Sequence, residues 1–435
     1  MRVGVLAVSD PHGGGIYQYS LSILWAISQL RDGVEPVIVQ DGATRNELRA
    51  WSRSGWRVIN SRPRTPRTMA RRAVVAAFGE AAAVRTAAVA RKATGRSGTT
   101  RSGPPLAEGT VVNPRPQVGA WLRRNGIDLM LYPVPTTYSF ESGVPYVMAI
   151  HDLQHRIHPE FPEVSADGEW AAREYLFATG VRRAEAILVD SEVGREDVLA
   201  FYGHLTSPDR VRVLPFVPPP YLARPPRDDV TARLRSLGLP DRYLLFPAQL
   251  WPHKNHLRVT EAVAALHRDG LDFTVVMTGS ATGRIRAGVL AGVCKIVERE
   301  QIADQVRILG YVDDVTIATL YAGAWGVILP TFFGPTNIPV IEGWAMGVPV
   351  LTSDIRGIRE QCDDAAILVD PLSAEAIADG MRRLWMDDAL RARLISAGTE
   401  RMKENDATMF RDRLAGILAD VEHGLRANEP RTVPA

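Results

Sequence analysis

The sequence predicts an α/β protein built from two doubly wound, parallel-sheet halves that face a cleft. Three observations predict it. The chain has 435 residues, more than one ordinary core organises. Short β-branched runs alternate with longer amphipathic stretches, the pattern of parallel strands covered on both faces by helices. The alternation breaks once, at residues 214–226, where PFVPPPYLARPP holds prolines that neither a helix interior nor a central strand accepts.

In the first half, strands are expected at residues 3–8, 34–39, 129–132, 146–150 and 186–189, with helices at 16–30, 169–183 and 193–202. After the break, strands are expected at 243–246, 273–277, 306–309, 327–329, 348–351 and 366–369. Helices are expected between them at 257–268, 287–300 and 338–345. Residues 374–425 are helical throughout by the spacing of Leu, Ile and Met. The expected organisation is a first domain over 1–215 with an insertion at about 62–118, a linker over 216–241 and a second domain over 242–405. A terminal helix over 406–427 is expected to pack back toward the first domain, and residues 428–435 to fray.

Hydrophobic residues make up 46% of the chain and charged residues 23%, with a formal net charge of +2. These values suit a globular enzyme and give no reason to expect a nucleic-acid partner. Cys294 and Cys362 form no Cys-x-x-Cys pair, so neither a zinc site nor a disulfide framework is indicated, and a reducing cytoplasm fits. The first residues run straight into a strand without the apolar stretch of a signal peptide. No apolar run reaches the roughly 18–20 residues that span a bilayer, so any membrane contact is expected to be peripheral, at the inner face. Residues 62–101, from Arg62 to Arg101, carry ten Lys or Arg residues against the single acid Glu80. Two readings of that run stand evenly: a solvated helix and loop, or a basic surface for anionic lipid headgroups or a pyrophosphate-bearing acceptor.

Four segments carry chemistry. His12-Gly13-Gly14-Gly15 opens the first helix, where glycine lets the backbone approach a ligand and the helix N-terminus attracts anions. A plain tight turn explains it equally well. His151 is the first polar residue beyond the strand ending at Ile150, at the strand end where ligands gather in open α/β sheets. His155 and His158 are expected to be structural or at the surface. The loop Gln249-Leu-Trp-Pro-His-Lys254-Asn255-His256 places Lys254 at a helix start, adding a full charge to the helix dipole. The run Gly334-Pro335-Thr336-Asn337-Ile338 enters a helix whose free amides at Asn337 and Ile338 would face a phosphate. Glu342 follows one turn later, where a carboxylate can accept hydrogen bonds from a ribose diol. A glutamate near a helix start also simply favours the dipole.

The blocks FGPTNIPVIEGWAMGVPV, PAQLWPHKNH and HDLQH together resemble family-4 glycosyltransferases, retaining enzymes of the GT-B fold with two Rossmann-like domains. The likeness runs over most of the chain, is strongest over 243–369 and excludes the basic insertion. It implies that Lys254 binds the diphosphate of a nucleoside-diphosphate sugar and that Glu342 binds the nucleotide ribose. The amides of Asn337 and Ile338 would bind phosphate, and His151 the donor sugar. Gly14 and Gly15 would approach the diphosphate or the acceptor, and the turn of Tyr311 and Val312 the base. Two positions depart from the pattern. Gly334 stands where a first glutamate is usual, as in a branch with Gly-Pro-Thr-Asn, and Gln249 stands where an arginine often partners the lysine. Thr336 or Asn337 is a candidate replacement sugar contact.

The resemblance implies a hexosyltransferase, mannose being one candidate sugar, with no metal and no cofactor beyond the donor. Its acceptor would be a saccharide or lipid-linked saccharide in surface polysaccharide synthesis. Asp313-Asp314 and Asp363-Asp364 are read as caps rather than metal ligands. The rival in a different class is a glycosyltransferase-like subunit that binds a nucleotide or a partner without catalysis. A dinucleotide oxidoreductase lacks a full Gly-x-Gly-x-x-Gly in the first turn, and an epimerase would convert donor without acceptor.

Overall fold

The computed structural model describes residues 1–6, 14–30, 33–40, 56–60, 115–219, 222–404 and 406–427. The basic run of residues 62–101, Gly13 and the tail over 428–435 lie outside them. Two parallel sheets form. The first lobe holds β1 (Arg2–Leu6), β2 (Glu35–Gln40), β3 (Arg57–Asn60), β4 (Leu129–Tyr132), β5 (Tyr146–Ala149), β6 (Ala186–Val189) and β7 (Val211–Val213), in the order β3-β2-β1-β4-β5-β6-β7. The second holds β8 (Leu244–Pro247), β9 (Val275–Thr278), β10 (Val306–Gly310), β11 (Gly326–Leu329), β12 (Val350–Ser353) and β13 (Ala366–Val369), in the order β10-β9-β8-β11-β12-β13. Central strands such as β4 and β11 are buried at every residue, because helices cover both faces of each sheet. That double burial is why their sequences read as continuous apolar runs rather than alternating ones.

The helices needed below are α1 (Gly15–Ser28), α2 (Glu169–Arg183), α3 (Glu192–Tyr202), α4 (Arg227–Ser236), α5 (His256–Arg268), α6 (Arg284–Glu300), α7 (Asp314–Gly323), α8 (Ile338–Ala345), α9 (Arg356–Cys362), α10 (Ala374–Met386), α11 (Asp388–Glu404) and α12 (Ala407–Ala427). Local chemistry starts several of them. The Ser191 hydroxyl accepts from Gly194 N at the head of α3. Asp313 caps α7 by accepting from Thr316 N at 2.8 Å, which satisfies an amide that the helix itself leaves open.

Three features differ from the sequence expectation. β3 and the three-residue β7 are additional edge strands, in which Arg57, Asn60 and Arg212 break the apolar run that marks the other strands. Helices α7 and α9 are likewise additional. The linker expected over 216–241 is irregular only as far as Pro226, and α4 follows at once. Asp228 and Asp229 occupy its first turn, favourable for the dipole. Val230 and Leu234, one turn apart, are buried with Leu239 and Tyr243 in the second lobe's core.

Each sheet has a core on either face. In the first lobe one core gathers Val3, Val5, Ile23 and Leu188, and the other Val37, Met130, Met148 and Ile187. Phe410, Leu414, Ile417 and Leu418 of α12 belong to the former. The end of the chain therefore crosses back onto α1, and both lobes are tied by two chain passages.

Candidate functional site

Strand order reverses between β1 and β4 in the first lobe and between β8 and β11 in the second. In open α/β sheets, ligands settle beyond the strand carboxyl ends at such points. A pocket opens there between the lobes. It is lined by Gly14 and Gly15 from the first lobe and by Gln249, Tyr311, Val312, Ile338 and Glu342 from the second, with Thr278, Gly279, Ser280 and Asp314. The space inside it, open solvent included, is about 750 Å³. Seven of the residues singled out in the sequence thus meet at one place.

Glu342 is 5% exposed, and Tyr321 Oη donates to its Oε2. The tyrosine holds the carboxylate in one orientation at the pocket wall. Lys254 lies beside this pocket. Its loop is a short 3₁₀ turn, Pro252–Lys254, that ends at Asn255 with φ of 70°. Asn255 Nδ2 donates to Pro330 O and Pro371 O, each at 2.8 Å, so a buried amide fastens the lysine loop to the loop after β11. Lys254 Nζ donates to Asn337 Oδ1 at 3.1 Å. Burial brings the ammonium down to about 8, with the charge of Asp152 opposing that shift.

His151 is half-buried. Its Nε2–H donates to Pro133 O at 2.8 Å, which leaves Nδ1 as the acceptor. Tyr19 meets the ring edge-on at 4.8 Å and Phe216 lies 5.7 Å away. Burial lowers its pKa further, so the ring is neutral at physiological pH. His155 is buried in a network with Glu174, which also takes Arg156 and the Tyr202 hydroxyl. His158 stacks on Phe333 and bonds Glu160.

Three residues of the 334–337 turn have partners or surroundings that the sequence did not indicate. The amide of Asn337 is not open to a phosphate. Gln361 Oε1 accepts from it at 2.9 Å, while Gln361 Nε2 donates to Asn337 O at 2.9 Å. This reciprocal lock comes from α9 packing under the turn. A Cβ on Gly357 would stand 2.3 Å from Pro335 O, so only glycine permits that approach. Thr336 does not face the nucleotide-sized pocket; its hydroxyl donates to Asp190 Oδ2 of the first lobe, because that buried carboxylate needs donors. Gly334 lines a separate groove with Phe332, Phe333 and Pro335.

Asp190 and Gln361 escaped sequence reasoning. Asp190 is the first residue past β6, at the same kind of strand end as His151, and that position was the available signal. It is 4% exposed and also accepts from Ser191 Oγ at 3.3 Å. Burial pushes its carboxyl up to about 7. From the ordinary 3.8 to about 7 the unfolded chain gives up this proton while the folded one keeps it. Stability therefore falls as pH rises through that window, by at most about 4 kcal/mol, and the loss is complete above it. Asp190→Asn is expected to flatten this dependence and to melt above the parent protein at pH 8. Thermal melts from pH 4 to 8 measure it, and parallel curves for the two proteins would refute the assignment.

Among the described residues no group of three or more His, Cys, Asp or Glu stands close enough to hold a metal ion, and no helix is long and apolar enough to cross a membrane.

Comparison with known proteins agrees with this geometry. Residues 234–401 match the family described as Glycosyl transferases group 1. The chain is similar to the O-antigen chain mannosyltransferase B of Escherichia coli, at 24% identity over 68% of this chain and 74% of the relative. It is also similar to the alpha-D-kanosaminyltransferase of Streptomyces kanamyceticus, at 27% over 64% and 71%. Among solved structures, Anabaena HepE in complex with UDP and glucose superposes with a TM-score of 0.68 at 15% identity, covering 96% of this chain and 99% of that one. WaaG, a glycosyltransferase involved in lipopolysaccharide biosynthesis, superposes with a TM-score of 0.63 at 16%, covering 96% and 99%. The fold is the GT-B architecture.

Proposed function

We propose that this chain is a retaining glycosyltransferase that moves a hexose from a nucleoside-diphosphate sugar to a saccharide or lipid-linked saccharide acceptor, in the building of a surface polysaccharide. The observation that carries the reading is the interlobe pocket, where Glu342, Gly14, Gly15 and Ile338 converge beside a lysine bonded to Asn337. The glycosyl transferases group 1 match over the second lobe supports it, and the mannosyltransferase relative makes mannose a candidate sugar.

On this reading Glu342 receives the ribose hydroxyls and the backbone at Gly14 and Gly15 approaches the diphosphate. The bond from the anomeric carbon to the β-phosphate oxygen breaks, and the phosphate leaves with the electron pair. Lys254 meets the growing negative charge, a preorganised electrostatic contribution. The acceptor oxygen attacks the anomeric carbon from the face the phosphate leaves, and its proton passes to that phosphate. Neutral His151, anchored on Pro133, can accept from a donor-sugar hydroxyl through Nδ1. Closure of the lobes excludes water that would otherwise hydrolyse the donor. Peripheral membrane contact through residues 62–101 remains part of the proposal.

The test is a thermal-shift screen against UDP, GDP, ADP and their sugars, since a ligand of the folded state raises apparent stability with its concentration. At least one diphosphate is expected to bind. Glu342→Gln is expected to weaken that nucleotide about tenfold, the worth of one lost charged hydrogen bond, with smaller loss for a ribose-free pyrophosphate. Equal weakening of both ligands would detach Glu342 from the ribose. Donor hydrolysis or transfer by the same preparation then excludes a binding-only subunit.

A further inference from the structure

The lining of the interlobe pocket contains two acids, Asp314 and Glu342, and neither lysine nor arginine. A diphosphate brought there meets negative charge, so cations just behind the wall decide whether it binds. Lys254 is one. A second stands behind Gln249. Gln249 Oε1 accepts two hydrogen bonds, from Arg286 Nη1 at 2.8 Å and from Trp251 Nε1 at 3.0 Å. The Arg286 guanidinium lies 4.6 Å from the centre of the Trp251 ring, a cation–π placement that holds a planar cation in one pose. With both donors on Oε1, the amide group of Gln249 is oriented, and its Nε2 lies 3.0 Å from where a Cβ on Gly14 would stand. Nε2 therefore points at the glycine turn that enters the pocket. Arg286 Nε is buried with no hydrogen-bond partner among the described residues, a donor whose desolvation an anion would offset.

We propose that Arg286 supplies the countercharge for a diphosphate in this pocket, positioned by Gln249 and Trp251, and that Gln249 Nε2 forms one wall of the anion site with the guanidinium directly behind it. Arg286 sits in the first turn of α6, where a cation is unfavourable to the helix dipole. A function in the pocket accounts for that placement. The proposal rests on the donor-pocket reading above.

The experiment is calorimetric titration of the full chain with UDP, GDP and ADP, then with the nucleoside of whichever binds tightest. Arg286→Ala is expected to weaken the diphosphate 10- to 100-fold and leave the nucleoside within twofold. Arg286→Lys keeps charge without the planar stack and is expected to fall between. Adding Gln249→Arg to Arg286→Ala returns a cation to the same wall and is expected to recover at least tenfold. Undiminished diphosphate binding by Arg286→Ala overturns the proposal. So does proportional loss of nucleoside and diphosphate, which marks a structural role. If the parent protein binds none of the three diphosphates, the donor-pocket reading fails and this proposal with it.

Discussion

Lys254→Ala is expected to lower transfer by about two to three orders of magnitude, the usual effect of removing one preorganised electrostatic donor, while the melting temperature is kept. The two halves of this expectation have a common source. Burial lowers the ammonium to about 8 from an ordinary 10.5. A lysine whose pKa is lowered by folding weakens the fold at neutral pH, and that cost is relieved as pH rises from about 8 toward 10.5. Its removal therefore takes away an unfavourable charge along with the bond to Asn337 Oδ1. The charge is of use only when an anion arrives. Nucleoside diphosphate affinity of the parent protein is accordingly expected to decline as pH rises through 8, and Lys254→Ala is expected to lack that decline. Titrations at pH 7, 8 and 9 measure it. Turnover near that of the parent, or an unchanged pH slope in the variant, would remove Lys254 from the site.

The second large effect is expected from a residue without chemistry. Gly279 has φ of 118°, and a Cβ there would stand 2.3 Å from Ala248 O and 2.7 Å from Gln249 N. Both neighbours are backbone, which cannot swing aside like a flexible side chain. Backbone strain and overpacking each cost about 1–3 kcal/mol, so Gly279→Ala is expected to destabilise the second lobe by roughly 2–6 kcal/mol. The clash also pushes on the strand end that carries Gln249, so diphosphate binding should weaken in the protein that still folds. Gly270→Ala is the control. Gly270 also has positive φ, at 78°, but has nothing within 4 Å of the added atom. It is expected to lose about 1 kcal/mol and to bind nucleotide as the parent does. Melts with and without saturating nucleotide separate the two effects. Equal binding by both variants would show that the approach of Gly279 to the β8 loop does not shape the pocket.

The interlobe contacts give the cleft its present form. Glu163 of the first lobe takes both the backbone N–H and ring Nδ1–H of His253 in the lysine loop, at 3.0 and 2.7 Å. Glu360 of α9 takes the amides of Glu192 and Val193 at the start of α3, at 2.8 and 2.9 Å, a carboxylate placed against the positive end of a helix. Thr336 reaches Asp190. Each of these bonds joins one lobe to the other. Opening of the cleft for donor entry must break some of them, and the chain passages at residues 214–226 and before α12 are the joints available.

The sequence by itself determined the two α/β halves, the break between them and the places where the lysine loop and Glu342 would sit. Those features are local. A strand buried on both faces shows as a run of Val, Ile and Leu, a covered helix repeats at its own period, and prolines stop both. The strand ends then follow, and with them the positions of His151, Lys254 and Glu342. Only the tertiary structure decided which of these side chains share a pocket and which partners they hold. The Asn337 amide looked open because a helix start always has spare N–H groups. Gln361, 24 residues later, fills it. Thr336 looked free for a sugar until Asp190, 146 residues earlier, claimed its hydroxyl. Gln249 looked like a lost charge until Arg286, 37 residues on, was found bonded to it. No local period carries such pairings. They arise when separate elements are packed together and each buried polar group must find a partner from whatever the neighbouring element presents.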